Sequence, residues 1–193
     1  MFYSISGKVV LKQNNLAVIE NNGIAFAVHT TNTTLSKLKD EATLFTYLQV
    51  REDAMDLYGF HSLSELNTFK MLISVSGIGA KAATAILSDM TAEDFALTVV
   101  SEDSKSLTGV KGIGAKTAQR IILELKDKLA KTDLGGNTTA YNVVNSSVTE
   151  ALAALSVLGY VQSEVAPIVS KMDRNLSSAE IIKETLKIIG SKK

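Results

Sequence analysis

Residues 75–86 read Val-Ser-Gly-Ile-Gly-Ala-Lys-Ala-Ala-Thr-Ala-Ile, and residues 110–121 read Val-Lys-Gly-Ile-Gly-Ala-Lys-Thr-Ala-Gln-Arg-Ile. The strings agree at eight of twelve positions and lie 35 residues apart. Each is a valine, a Gly-Ile-Gly turn, and then Ala-Lys opening a helix. Two glycines flanking one apolar residue permit a very tight turn, with the isoleucine as a plug between helices. A helix beginning at Ala80 or Ala115 leaves N–H groups without intrahelical partners on a surface almost bare of side chains. Such a terminus takes phosphate oxygens through those donors and the helix dipole. Lys81 and Lys116 add a point charge for the same anion. Nothing in the pattern reads a base edge, so a nucleic-acid contact of this kind is independent of sequence. The candidate phosphate-binding residues are Gly77, Gly79, Ala80 and Lys81 in one copy and Gly112, Gly114, Ala115 and Lys116 in the other.

One copy alone reads equally well as a glycine-containing turn without a ligand, but a lysine kept in both weighs against that. Gly109–Thr117 approaches a Walker phosphate loop, yet Ala115 separates Gly114 from Lys116 and no strand pattern precedes it. A dinucleotide fingerprint lacks its third glycine. ATP hydrolysis by this chain is therefore not expected.

Around the repeat, helical spacing runs from Ser62 through further helices at about 80–88, 92–100, 103–107 and 115–130, making 63–131 an all-α domain. Ser62-Leu63-Ser64-Glu65 reads as a capping box, hydroxyl and carboxylate each satisfying a backbone N–H. Before it, 1–62 is strand-like, with β-rich runs at Tyr3–Leu11, Leu16–Glu20, Ile24–His29, Thr43–Val50 and Ala54–Phe60. Asn14-Asn15 and Asn21-Asn22-Gly23 supply the residues that tight hairpins require. Thr33–Lys39 reads as a short helix. Five strands with one helix suit a small closed barrel of the OB type. Residues 132–146 have the polar, Gly/Asn/Thr-rich composition of a flexible linker. In 147–193, caps at Ser147-Val148-Thr149-Glu150 and Ser177-Ser178-Ala179-Glu180 and three apolar stripes predict a three-helix module. The chain is thus a multidomain α+β protein.

Composition excludes several other classes. The chain has 193 residues, 20 basic and 20 acidic, so it is no polycation that coats nucleic acid indiscriminately. Basic and acidic residues number 5 and 6 in 1–62, 9 and 8 in 63–131, and 6 and 6 in 132–193, so any electrostatic function rests on local placement. With no cysteine and only His29 and His61, neither a thiolate nucleophile nor a Cys/His metal centre is expected. Both histidines read as structural. No apolar run approaches a membrane span, and Met1–Leu11 has no signal-peptide pattern, so a cytoplasmic protein is expected.

The repeat resembles paired helix-hairpin-helix DNA-binding motifs, and the order of domains is similar to the RuvA family, the Holliday-junction-binding subunits of a bacterial branch-migration complex. The most specific string is Val50-Arg51-Glu52-Asp53-Ala54, followed by Leu57-Tyr58-Gly59-Phe60. Two acids in a hairpin tip are by themselves an ordinary solvated turn. The resemblance implies instead that Glu52 and Asp53 form an acidic pin at the junction crossover, repelling phosphates while strands exchange. Arg51 beside them either contacts DNA or neutralises the pair. The resemblance also implies that the two hairpins hold a duplex backbone across its minor groove, with Arg120 reaching the same phosphates. Ala80 and Ala115 depart from the commoner proline and lysine of the family. Implied partners are four-way junction DNA, a hexameric AAA+ ATPase (RuvB), further copies of the chain as a homotetramer or a pair of tetramers, and a junction-resolving endonuclease (RuvC). The chain itself would be non-catalytic and carry no cofactor. The tail, through Leu155-x-x-Leu158-Gly159-Tyr160, resembles a ubiquitin-associated-type fold that docks the motor. A rival reading gives Phe26, Phe45, Tyr47 and Tyr58 of the barrel to stacking on single-stranded bases. A third is a generic duplex-binding accessory domain.

Overall fold

The computed structural model describes residues 2–132, 146–169, 172 and 176–190. It divides into two compact units, Met1–Ala92 with Val110–Gly112, and Glu93–Gly109 with Ile113–Lys193.

In the first unit, β1 (Ser4–Gln13), β2 (Leu16–Asn21), β3 (Ile24–His29), β4 (Glu41–Val50) and β5 (Met55–Phe60) close a barrel in the order β1-β2-β3-β5-β4. The asparagine turns form as expected: Asn14, Asn15 and Asn22 all take positive φ, the region where a short polar side chain costs least. Alternation points Ala17 and Ile19 of β2 inward to join Ile5, Val28, Leu44 and Leu57 in the barrel core. Burying each larger aliphatic side chain contributes about 1.5–3 kcal/mol. Helix α1 (Asn32–Lys37) is capped by Thr31 and places Leu35 and the following Leu38 against that core.

Helix α2 (Leu63–Ile73) packs on β4 and β5 through Phe69, whose fully buried ring meets Tyr47, Tyr58 and Phe60. Its cap differs from the expected reciprocal box. Ser62 accepts the N–H of Glu65 at 3.2 Å, but the Glu65 carboxylate turns away from the helix end. It accepts hydrogen bonds from the hydroxyls of Thr31 and Thr34, the latter at 2.7 Å, and only 4 % of the residue is exposed. A buried carboxylate needs strong donors, and two threonine hydroxyls outcompete one backbone N–H. Helix α3 (Ala80–Asp89) is fastened at its far end to the barrel, where Ser88 Oγ accepts from Asn15 Nδ2 and Asn32 N, both at 3.1 Å.

In the second unit, α4 (Ala92–Val100) leads to α5 (Ser104–Thr108), whose cap Asp103 accepts from Lys105 N and Ser106 N, and then to α6 (Ala115–Thr132). Beyond them stand α7 (Ser146–Val157), α8 (Gln162–Val169) and α9 (Ser178–Gly190). The expected linker falls outside the described residues except at its ends, where Thr132 closes α6 and Ser146 opens α7. Ser147 therefore sits inside α7 rather than at its cap. The second box forms in full: Ser177 Oγ and N both donate to Glu180 Oε2, at 2.7 and 2.9 Å, and Glu180 N donates back at 3.4 Å. Ala151, Leu152, Leu155, Val165, Val169 and Ile181 form the core of α7–α9, and Leu97 and Val100 of α4 pack against it.

Candidate nucleic-acid interface

Each copy of the repeat makes the same turn. Gly77 and Gly112 take φ of +86° and +93°, a region that strains any residue with a Cβ. Ile78 and Ile113 then drop inward and are 5 % exposed, while the preceding Val75 and Val110 are buried as well. The second glycines behave differently. Gly79 has an ordinary φ of −90°, and Gly114 is not among the positive-φ glycines. A Cβ built on Gly79 or Gly114 meets nothing within 4 Å. The fold therefore tolerates alanine at both, and their bareness matters only to something approaching from outside.

Gly79 and Gly114 accept the first intrahelical bonds, from Ala83 N and Ala118 N at 3.0 and 2.9 Å, so the N–H groups ahead of those donors have no helical acceptor. No side chain caps α3. Lys81, Lys116 and Arg120 are exposed, and so is Lys111 in the second turn. Among the described residues no carboxylate pairs with Lys81, Lys111 or Lys116. The sequence reading passed over Lys111, although the repeat shows it: Ser76 stands there in the first copy. The copies differ in one further respect, Ala80 being buried and Ala115 exposed.

The acidic tip joins β4 to β5, closed by Arg51 N donating to Ala54 O at 2.8 Å. Glu52 and Asp53 are exposed and engage no partner among the described residues. Arg51 forms no ion pair with either of them among the described residues. Its Nη2 donates to Asp56 Oδ2 on β5 at 2.6 Å, and Asp56 Oδ1 lies 3.8 Å from His29 Nε2 on β3. Burial, followed by the Asp56 charge, pushes the neighbouring Tyr58 phenol above its usual range, against an opposing pull from Arg51. Each histidine has a neighbour: His29 packs its ring on Tyr58 at 5.4 Å, and His61 Nδ1 lies 3.5 Å from Glu65 Oε2.

The barrel aromatics named for base stacking are largely taken up in packing, as strand alternation leads one to expect, and the tail candidates divide between core and surface. Tyr47 and Tyr58 are held in the Phe69 cluster, and Phe26 packs against the barrel core, so they offer no common stacking face. Phe45 is half-buried beside the exposed Tyr3. In the tail, Leu155 is 0 % exposed and belongs to the core, where no partner reaches it. Gly159, with φ +89°, ends α7 in a Schellman turn, Gly159 N donating to Ser156 O and Tyr160 N to Leu155 O. Tyr160 packs on the core, so Leu158, next to the exposed Gly159, is the exposed apolar side chain of the four. It is flanked by Val157 and Val161, 88 % and 58 % exposed, which periodicity alone did not single out.

A closed five-stranded barrel carrying an acidic tip, followed by a doubled glycine hairpin, defines a class: OB-barrel proteins with tandem helix-hairpin-helix motifs. Family models place it more narrowly. The RuvA N-terminal domain matches residues 1–59, a SAM-like helix-hairpin-helix tandem matches 69–127, and the RuvA C-terminal domain matches 146–190. A protein of Acetivibrio thermocellus is 43% identical over 199 residues, covering 97% of this chain and 98% of its own. One of Chromobacterium violaceum is 42% identical, covering 97% and 98%, and one of Ruminiclostridium cellulolyticum is 40% identical, covering 97% and 99%. All three are named Holliday junction branch migration complex subunit RuvA. The chain belongs to the RuvA family.

Proposed function

We propose that the protein recognises four-way DNA junctions by shape, independently of sequence, and serves as the DNA-binding subunit of a branch-migration complex in recombination and repair. The observation that carries this reading is the doubled hairpin, whose second glycine is bare without a structural need and whose lysines have no carboxylate partner among the described residues. A phosphate oxygen approaching Gly79 or Gly114 meets unpaired N–H groups, the positive end of a helix and Lys81 or Lys116. Lys111 gives the second hairpin a further cation where Ala115 supplies none.

Such contacts hold a backbone without reading bases, as migration along changing sequence demands. Base pairs broken and formed are equal in number on homologous DNA, so the subunit supplies geometry and the driving force comes from elsewhere. We assign ATP hydrolysis to a hexameric AAA+ partner of the RuvB type and no catalytic step to this chain. Leu158, with Val157 and Val161, is the face offered to that motor. Four copies would bring their Glu52-Asp53 tips together at the crossover, where carboxylates keep phosphates apart. The assembly then presents an open junction to the motor and to a junction-resolving endonuclease.

The test is a gel-shift titration of the full chain against a synthetic four-way junction, linear duplexes of the same sequences, and single strands, each with excess competitor duplex. A strong preference for the junction is expected. Equal binding of linear duplex would reduce the protein to a generic hairpin module, and preference for single strands would move the site to the barrel.

A further inference from the structure

The root of the acidic tip holds a charged cluster of Arg51, Asp56 and His29. Arg51 precedes Glu52 directly, so an unconstrained guanidinium would sit over the two tip carboxylates or reach a nearby phosphate. Instead it folds back along the hairpin onto β5, Nη2 to Asp56 Oδ2 at 2.6 Å. Asp56 is fixed from two sides. Its backbone is in register with Gln49 of β4, and its second oxygen faces His29 on the adjoining strand β3. Its side chain is 23% exposed against 53% for Arg51, so the carboxylate is the anchored partner and the arginine the one that is held.

We infer that Asp56 is a positioning residue that sequesters Arg51, leaving the Glu52-Asp53 tip un-neutralised and the arginine away from phosphate. The inference rests on the acidic-tip reading for its functional meaning, while the sequestration itself stands on the geometry. Charge on the cluster decides the consequence. Arg51, Glu52, Asp53 and Asp56 sum to −2 with the carboxylate present; Asp56→Asn makes the sum −1 and frees a guanidinium that bonds phosphate readily.

The experiment is junction binding by the full chain as a function of salt, for wild type, Asp56→Asn, Asp56→Glu, Arg51→Gln, and Arg51→Gln with Asp56→Asn. One additional phosphate contact steepens the slope of log affinity against log salt by about 0.9, an extra loss of about 3.5-fold between roughly 50 and 200 mM. Asp56→Asn is expected to bind the junction more tightly at low salt and to show that steeper slope. Asp56→Glu restores the carboxylate and is expected to return the slope to wild type. In the Arg51→Gln background, Asp56→Asn adds no phosphate contact and is expected to leave the slope unchanged. A mere packing role for Asp56 would leave the slope untouched. Glu52→Gln with Asp53→Gln separates the two ideas. If that pair alters junction binding while Asp56→Asn keeps the wild-type slope, sequestration is overturned and the acidic tip survives. If the pair alters nothing while the Arg51-dependent slope change is seen, the tip reading falls and sequestration stands. A steeper slope in Asp56→Asn that persists without Arg51 also overturns the inference. Thermal unfolding of each variant shows that the comparison is between folded proteins.

Discussion

The glycines of the repeat divide by what they do, and substitution separates them. Alanine at Gly77 or Gly112 must adopt positive φ, at a cost of about 1–2 kcal/mol. At Gly79 alanine finds open space, and the lower entropy of its unfolded chain roughly offsets the poorer helix cap, so stability holds within about 1 kcal/mol. Thermal unfolding beside a gel shift tests this. Gly77→Ala is expected to unfold earlier, whereas Gly79→Ala melts like wild type and binds the junction more weakly. Wild-type affinity in Gly79→Ala would remove the close approach of phosphate at that residue. Lys81→Ala with Lys116→Ala is expected to flatten the salt slope by about 1.8, two phosphate contacts at 0.9 each. An unchanged slope would take both lysines out of the interface. These residues were legible in the sequence because the motif is local and occurs twice. The partner of Arg51 was not, since two readings of an arginine beside two acids were equally open until Asp56 was seen to hold it.

Helices and turns were read well where their determinants lie within a few residues. The asparagine hairpins and the box at Ser177 are of that kind, each fixed by groups no more than three residues apart. Glu65 shows the limit: it fits a capping pattern, yet its carboxylate is taken by Thr31 and Thr34, 34 and 31 residues away. Glu65→Ala leaves both hydroxyls and the α1–α2 junction without that acceptor, and denaturant unfolding is expected to show a loss of about 3 kcal/mol. Glu65→Gln keeps one acceptor oxygen and is expected to lose less. At Glu180 the hydrogen bonds from the Ser177 hydroxyl and N–H hold the carboxyl below its usual range, with Lys183 adding to them. A depressed folded-state pKa contributes stability above the unfolded value and loses it as pH falls through the folded one. The helicity difference between wild type and Glu180→Gln is therefore expected at about pH 6 and should fade toward about pH 3, as circular dichroism can follow. A difference that persists in acid would mean that the carboxylate is not the capping group.

At the scale of the whole molecule, the order of barrel, doubled hairpin and three-helix tail was legible because the hydrophobic period changes between them. The packing of Leu97 and Val100 of α4 against the α7–α9 core was not, since an apolar residue on a helix does not declare which neighbour covers it. The same ambiguity put Leu155 among the docking residues until its burial was known. Leu158→Asp is expected to abolish stimulation of the motor while leaving the junction gel shift unchanged; retained stimulation would move the docking face elsewhere. One consequence follows from the closure of the barrel. The strands close into a barrel, β1 pairing with β2 and β4, and β3 with β2 along its length and with β5 at the His29–Tyr58 pair. Closure shortens the strand edge that could template a fibril or recruit another copy by lengthening a sheet. Recognition between copies through this barrel would then rest on side chains more than on backbone pairing, and single substitutions would switch such assembly off without touching the backbone.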